Sequence, residues 1–205
     1  MPTAAVDRPG ADEPKPLIEA ANRLMDRLQG YRVEIIDGML TVAPLRDGPH
    51  ADALTTVMLP LLSAGLSDGD TEAEVLQGIG LWLPGGPEDY AIPDLSIVDA
   101  DFDDHLIENN CYDPACFRLV LEVTSENHRT DLHHKVTAYA QAKIPVYVIV
   151  DRKHGRVHVL TDPLPAGYDR HEVYAPGQKA PLPTSIGAEV SLDVDEIVRA
   201  GSAKR

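Results

Sequence analysis

The sequence predicts a mixed α/β or α+β domain, a sheet flanked by helices, on three observations. Short runs rich in Val, Ile and Leu recur between turn-forming residues, and segments with apolar positions at helical spacing stand between them. From His50 to Asp151 the order runs helix, strand, strand, strand, helix, strand, which fits one layered domain. With 205 residues, 43% of them hydrophobic and 25% charged, the chain is long enough to bury one core.

Residues 1–15 read as a disordered lead, 16–199 as a single domain and 200–205 as a disordered tail. Pro16 opens a helix in which Leu17, Ile18, Ala21, Leu24, Met25 and Leu28 follow 3.6-residue spacing and which Gly30 can close. YRVEIIDGMLTVAP carries Asp-Gly between two apolar runs, the signature of a two-residue hairpin turn, with strands near 32–36 and 39–43. HADALTTVMLPLLSAGL is helical in spacing, and Pro60 predicts a kink or restart. A strand near 73–83 and another near 92–98 follow, then an acidic loop of about twenty residues. A strand over 118–124, a helix over 131–142 and a buried strand in IPVYVIVD come next. RVHVL and HEVYA form a C-terminal hairpin, and DVDEIVRA a short helix.

The start of the chain lacks the apolar core of a signal peptide, and no run of roughly 18 apolar residues occurs, so a cytoplasmic protein without membrane association is expected. Cys111 and Cys116 are too few for a disulfide framework and are expected as free thiols. The formal charge of −15 weighs against general, tight nucleic-acid binding, which relies on a basic footprint. A local basic strip has candidates in Arg118, His128, Arg129, His133, His134, Lys135, Arg152, Lys153 and Arg156.

RLVLEVTSENHRTDLHHK places Glu122 inside an apolar strand, where an ionised carboxylate needs a partner or a metal. By alternation Glu122 shares a face with Val120 and Thr124, while Leu119, Leu121 and Val123 point the other way. Asp94, at the head of the strand in IPDLSIV, faces Glu122 if the two strands pair. Two adjacent carboxylates suit a hard divalent ion such as Mg²⁺. Lys135 borders the apolar stripe of Leu132, Val136, Tyr139 and Ala140 and can bring an ammonium to the acids. Each of these residues also has a plain reading. Either acid could pair with Arg118, Lys135 or backbone amides, and Lys135 could pair with Asp131 one turn earlier.

The run IPDLSIV, followed by LVLEVTSENHRTDLHHKVTAYAQAKIPVYVIVD and preceded by VEIIDGMLTVAP and His50, closely resembles the Uma two family of restriction-endonuclease-like proteins in the PD-(D/E)XK nuclease superfamily. The resemblance spans about residues 16 to 198. It implies a restriction-endonuclease-like core with a divalent-metal site, in which Asp94 and Glu122 match the metal-binding acids and Lys135 the catalytic lysine. Glu34 and His50 match further positions of the family pattern as accessory groups, although a Glu on an exposed hairpin face and a His near a helix start also have bland explanations. The superfamily's usual form has lysine two residues after the second acid. Thr124 stands there, so the lysine has to come from the helix.

Competing motifs fail on spacing. DADFDDHLIENN alternates Asp99, Asp101 and Asp103 but lacks the turn glycine of a calcium loop and has Asn110 in place of its final Glu. Cys111 and Cys116 are not spaced as a zinc pair, and no Gly-x-Ser-x-Gly turn or dinucleotide fingerprint is present. The activity that the resemblance implies is Mg²⁺- or Mn²⁺-dependent hydrolysis of DNA, by a homodimer on superfamily analogy. The alternative is a non-catalytic binding or interaction protein that keeps the fold.

Overall fold

The computed structural model describes residues 16–43, 46–69, 71–124 and 129–202, with the side chains of residues 129–133 outside the description. The predicted lead, 1–15, and residues 203–205 of the predicted tail lie outside it as well. Helix α1 (Pro16–Arg27) buries Ile18 and Ala21. The amides of Leu17 and Ile18 both donate to Glu88 Oε2 at 2.9 Å, so a carboxylate from a distant loop satisfies the opening turn. Strands β1 (Arg32–Ile36) and β2 (Met39–Ala43) form the expected hairpin. Asp37 and Gly38 at its tip have φ of 52° and 68°, the pair of left-handed residues that a type I′ turn requires.

Helix α2 (Gly48–Ser63) runs through Pro60 without a restart. Pro60 lies in the last turn, so its ring removes one late hydrogen bond, and its own carbonyl still accepts from Ala64 N at 3.1 Å. The predicted strand over 73–83 is two strands, β3 (Ala73–Leu76) and β4 (Gly80–Trp82), in different sheets. Gly78, at φ 66°, turns the chain between them.

After β5 (Tyr90–Ala91) and β6 (Leu95–Asp99), the predicted acidic loop contains 3-10 turns at Phe102–His105 and Pro114–Cys116 and two short strands, β7 (Leu106–Glu108) and β8 (Cys111–Tyr112). Strand β9 (Phe117–Val123), helix α3 (Arg129–Gln141) and strand β10 (Val146–Asp151) follow. Strands β11 (Arg156–Leu164) and β12 (Gly167–Tyr174) make the predicted C-terminal hairpin. A pair too short for periodicity to reveal, β13 (Lys179–Pro181) and β14 (Ser191–Asp193), leads into α4 (Val194–Ala200).

The strands form two six-stranded sheets, β2-β1-β5-β4-β8-β7 and β12-β11-β10-β9-β6-β3, beside the small β13-β14 pair. In the second sheet β9 and β10 are parallel and are joined by the α3 crossover, and the other pairings are antiparallel. One face of this sheet packs Leu119, Leu121, Val123, Val146, Val148 and Val150 against α2 and α4. The opposite face packs Val120, Tyr147 and Ile149 with Ala138 and Tyr139 of α3 and with Ile36, Leu81 and Ala91 of the first sheet. No described helix is long and apolar enough to cross a membrane.

Candidate active site

Strands β6 and β9 pair antiparallel with Leu95 opposite Leu121, which sets Asp94 and Glu122 side by side at the strand ends. Asp94 Oδ2 accepts the Val123 amide at 2.8 Å, fixing one acid to the neighbouring strand's backbone. Glu122 alternates away from the Leu119, Leu121 and Val123 face and presents its carboxylate to α3. There Lys135 and Tyr139, one turn apart, both reach Glu122 Oε1, Nζ at 2.7 Å and the phenol at 2.9 Å. Lys135 Nζ also donates to Glu34 Oε1 on β1 at 2.9 Å, and the Ile92 amide donates to the same oxygen at 2.7 Å.

Asp94 is enclosed on its other sides. Arg32 Nη1 and Arg46 Nη2 lie 2.9 and 2.7 Å from Oδ1, and His50 Nε2 lies 3.0 Å from Oδ2. His50 is placed by the start of α2, where Asp47 caps the helix by accepting the His50 amide at 2.8 Å. Arg152 in turn holds Asp47 through two hydrogen bonds of 2.9 and 3.0 Å.

These charges are nearly dry, with Asp94, Glu122, Glu34, Lys135 and His50 exposed by 6%, 5%, 4%, 6% and 2%. Burial alone would raise Asp94, but the His50 hydrogen bond and the Arg32 charge hold it below the usual carboxylate range. Glu34 is held down against burial by Lys135 and Arg32. Glu122 moves the other way: burial, helped by the negative charges of Asp94 and Glu34, outweighs the pull of Lys135 and Arg32 and raises it. It is the acid whose charge is least compensated. Lys135 is kept charged against burial by Glu122 and Glu34. Burial and the Glu122 charge push Tyr139 well above its ordinary value, so its phenol stays a donor.

All five residues singled out in the sequence thus meet in one cluster. Glu34 departs from the exposed hairpin face expected of it, because β1 is covered by β5 and by α3. Two of the plain pairings are present, Lys135 with Glu122 and a backbone amide with Asp94. Arg118 pairs with Asp99 at 2.6 Å rather than with either site acid, and the Asp131 side chain lies outside the described residues. Reading the sequence missed Arg32 and Arg46. Arg32 carried a signal, since it stands two residues before Glu34 and shares its strand face, whereas Arg46 carried none.

Among the described residues, four candidates for a basic strip are already engaged with acids. Lys135 is buried between acids, while Arg118, Arg152 and His134 are paired with Asp99, Asp47 and Asp37. The side chains of His128, Arg129 and His133 lie outside the described residues. Cys111 and Cys116 are free and buried, and burial pushes both thiols up to about 12. Among the described residues, no three or more His, Cys, Asp or Glu side chains are arranged to hold a metal ion between them.

Residues 19–195 match the family model Uma2, described as a putative restriction endonuclease. The chain belongs to the Uma2 family. Among solved structures, it is similar to the crystal structure of a putative nuclease belonging to DUF820 from Anabaena variabilis. That likeness has a TM-score of 0.64 at 16% identity and covers 83% of this chain and 91% of that one, which supports the restriction-endonuclease-like fold. No curated protein matches the chain. In this Uma2 chain Thr124 has a structural task of its own. Its hydroxyl donates to the Val150 carbonyl at 3.1 Å and accepts the Arg152 amide at 3.2 Å, joining the ends of β9 and β10.

Proposed function

We propose that this Uma2 protein is a divalent-metal-dependent endonuclease that hydrolyses phosphodiester bonds of DNA. The observation that carries the reading is the meeting of Asp94 and Glu122 on adjacent strands with the Lys135 ammonium 2.7 Å from Glu122. The restriction-endonuclease description of the family and the nuclease description of the similar Anabaena protein support the same class of activity.

The donor set fits Mg²⁺ or Mn²⁺ in kind, being carboxylate oxygen from two neighbouring acids. Glu122 Oε2 is the oxygen left for such an ion, since Lys135 and Tyr139 occupy Oε1 and Arg32 Nη2 approaches Oε2 only to 3.6 Å. Bound between Asp94 and Glu122, the ion would lower the pKa of a water and offset charge on the phosphate. Tyr139 and Lys135 fix the Glu122 carboxylate, and His50 and the Val123 amide fix that of Asp94. Lys135, charged and anchored by two acids, supplies a cation beside the phosphate. A homodimer, by analogy with enzymes that cut both strands, belongs to the same proposal.

A second reading, a non-catalytic interaction protein with this fold, is favoured by the net charge of −15 and by the basic groups that already enclose Asp94. One experiment separates the two. Mn²⁺ is titrated calorimetrically into the wild type and Glu122→Ala, and cleavage of plasmid and single-stranded DNA is followed on the same samples. Binding and cleavage in the wild type that are both lost in the variant are expected. A wild type that binds no metal supports the interaction protein.

A further inference from the structure

We propose that the Arg32 guanidinium is a resident cation that holds the acid cluster closed and has to swing aside before a divalent ion binds. This inference rests on the metal-site reading above. Arg32 stands among all three acids, with Nη1 2.9 Å from Asp94 Oδ1, Nη2 3.6 Å from Glu122 Oε2 and Nε 3.7 Å from Glu34 Oε2. Lys135 reaches two of the acids, and Arg46 and His50 reach one. The guanidinium therefore takes the place between Asp94 and Glu122 that the ion would need. Two cations compete there for the same oxygens and repel each other.

Arg32 is half-buried, and only one of its three guanidinium nitrogens makes hydrogen bonds. Its hydrogen bonds run from Nη1, to Asp94 and to the Ile92 carbonyl, while Nη2 and Nε approach their acids only at the longer distances. Nε is buried with no hydrogen-bond partner among the described residues. A buried donor with a purely structural task is normally satisfied, and one that is not loses less when its side chain moves. Its side chain is 17% exposed, against 4% for Asp94, 5% for Glu34 and 7% for Glu122 and Lys135. Arg32 is thus the cation that touches all three acids, and it is more exposed than Lys135, which lies between Glu34 and Glu122.

The test is calorimetric titration of Mn²⁺ into the wild type, Arg32→Gln, Arg32→Lys and Glu122→Ala, with thermal midpoints recorded with and without Mn²⁺. Arg32→Gln is expected to bind on the order of tenfold more tightly than the wild type, the usual scale of coupling between two competing events. Arg32→Lys, which keeps a charge but loses the fork, is expected to fall between them. The midpoint of Arg32→Gln should be lower than wild type without metal and should rise further on adding it. Where Arg32→Gln does not fold, the lysine variant decides by the same comparison. Equal or weaker binding in the Arg32 variants overturns the gate and leaves the metal site standing. Binding that persists in Glu122→Ala, or is absent from every protein, overturns both.

Discussion

The two faces of β9 put opposite demands on one run of seven residues. Leu119, Leu121 and Val123 enter a core of aliphatic side chains, while Glu122, between two of them in sequence, enters a cluster of three acids and three permanent cations. On the first face volume and apolarity suffice, so neighbours can adjust to one another. On the second, every member is there to answer another member's charge, and deleting one leaves a buried ion exposed to its own desolvation cost. The apolar face holds the strand in place, and the charged face uses that placement.

The largest effect expected from this contrast is in Lys135→Met. It removes the ammonium shared by Glu34 and Glu122, and urea unfolding near neutral pH should show a loss of about 3–5 kcal/mol. A loss below about 1 kcal/mol would break the contrast, because the acids would then have shown no need of that partner. Leu121→Ala, on the other face, should cost about 3 kcal/mol through lost burial and a cavity, while Mn²⁺ affinity of the folded protein stays at the wild-type value. A fall in affinity would mean that the two faces are not independent.

Tyr139→Phe should cost about 1.5 kcal/mol, the scale of one hydrogen bond to a charged acceptor, read from the same unfolding curves. A neutral result would reduce the phenol to packing against Tyr147, whose ring lies 4.9 Å away.

The smallest effect lies at the outer margin of the charged face. His158 stands opposite Ile149, which stands opposite Glu122 in the neighbouring strand. Burial first, then the charge of His171, with smaller contributions from Arg156 and His154, hold His158 below its ordinary 6.5 against the opposing pull of Asp151. The unfolded chain takes up a proton there near pH 6.5 and the folded chain only at lower pH, so stability present above that value is lost as pH falls through the window. Between about pH 7.5 and about pH 5.5 the wild type should therefore lose more stability than His158→Gln. Equal slopes would place the acid sensitivity elsewhere.

What could be read in advance was whatever a short stretch of chain determines. The Asp-Gly turn, the alternation in β9 and the position of Asp94 at a strand head depend on neighbours a few residues away, and each is found in the fold. The division of residues 73–83 between two sheets was not legible, because alternation is the same on both sides of Gly78. Pro60 left a kink or a restart open because a proline signals a break without saying how much helix remains after it. Arg32 and Arg46 were missed for a related reason. Arg32 heads β1 and Arg46 follows β2, and the acid both of them reach, Asp94, is brought beside them only by the fold.

The spread of the cluster along the chain bears on how the molecule is made. Glu34 and Lys135, which meet at 2.9 Å, are 101 residues apart, and Arg32 and Asp94, which also meet at 2.9 Å, are 62 apart. Such contacts form only after long stretches of chain have been brought together, and topologies rich in them fold slowly. Glu34 and Glu122 share the Lys135 ammonium, so neither has its full set of partners until α3 is packed against β1 and β9. The site is complete only when the α3 crossover is in place, and its chemistry is a property of the assembled fold.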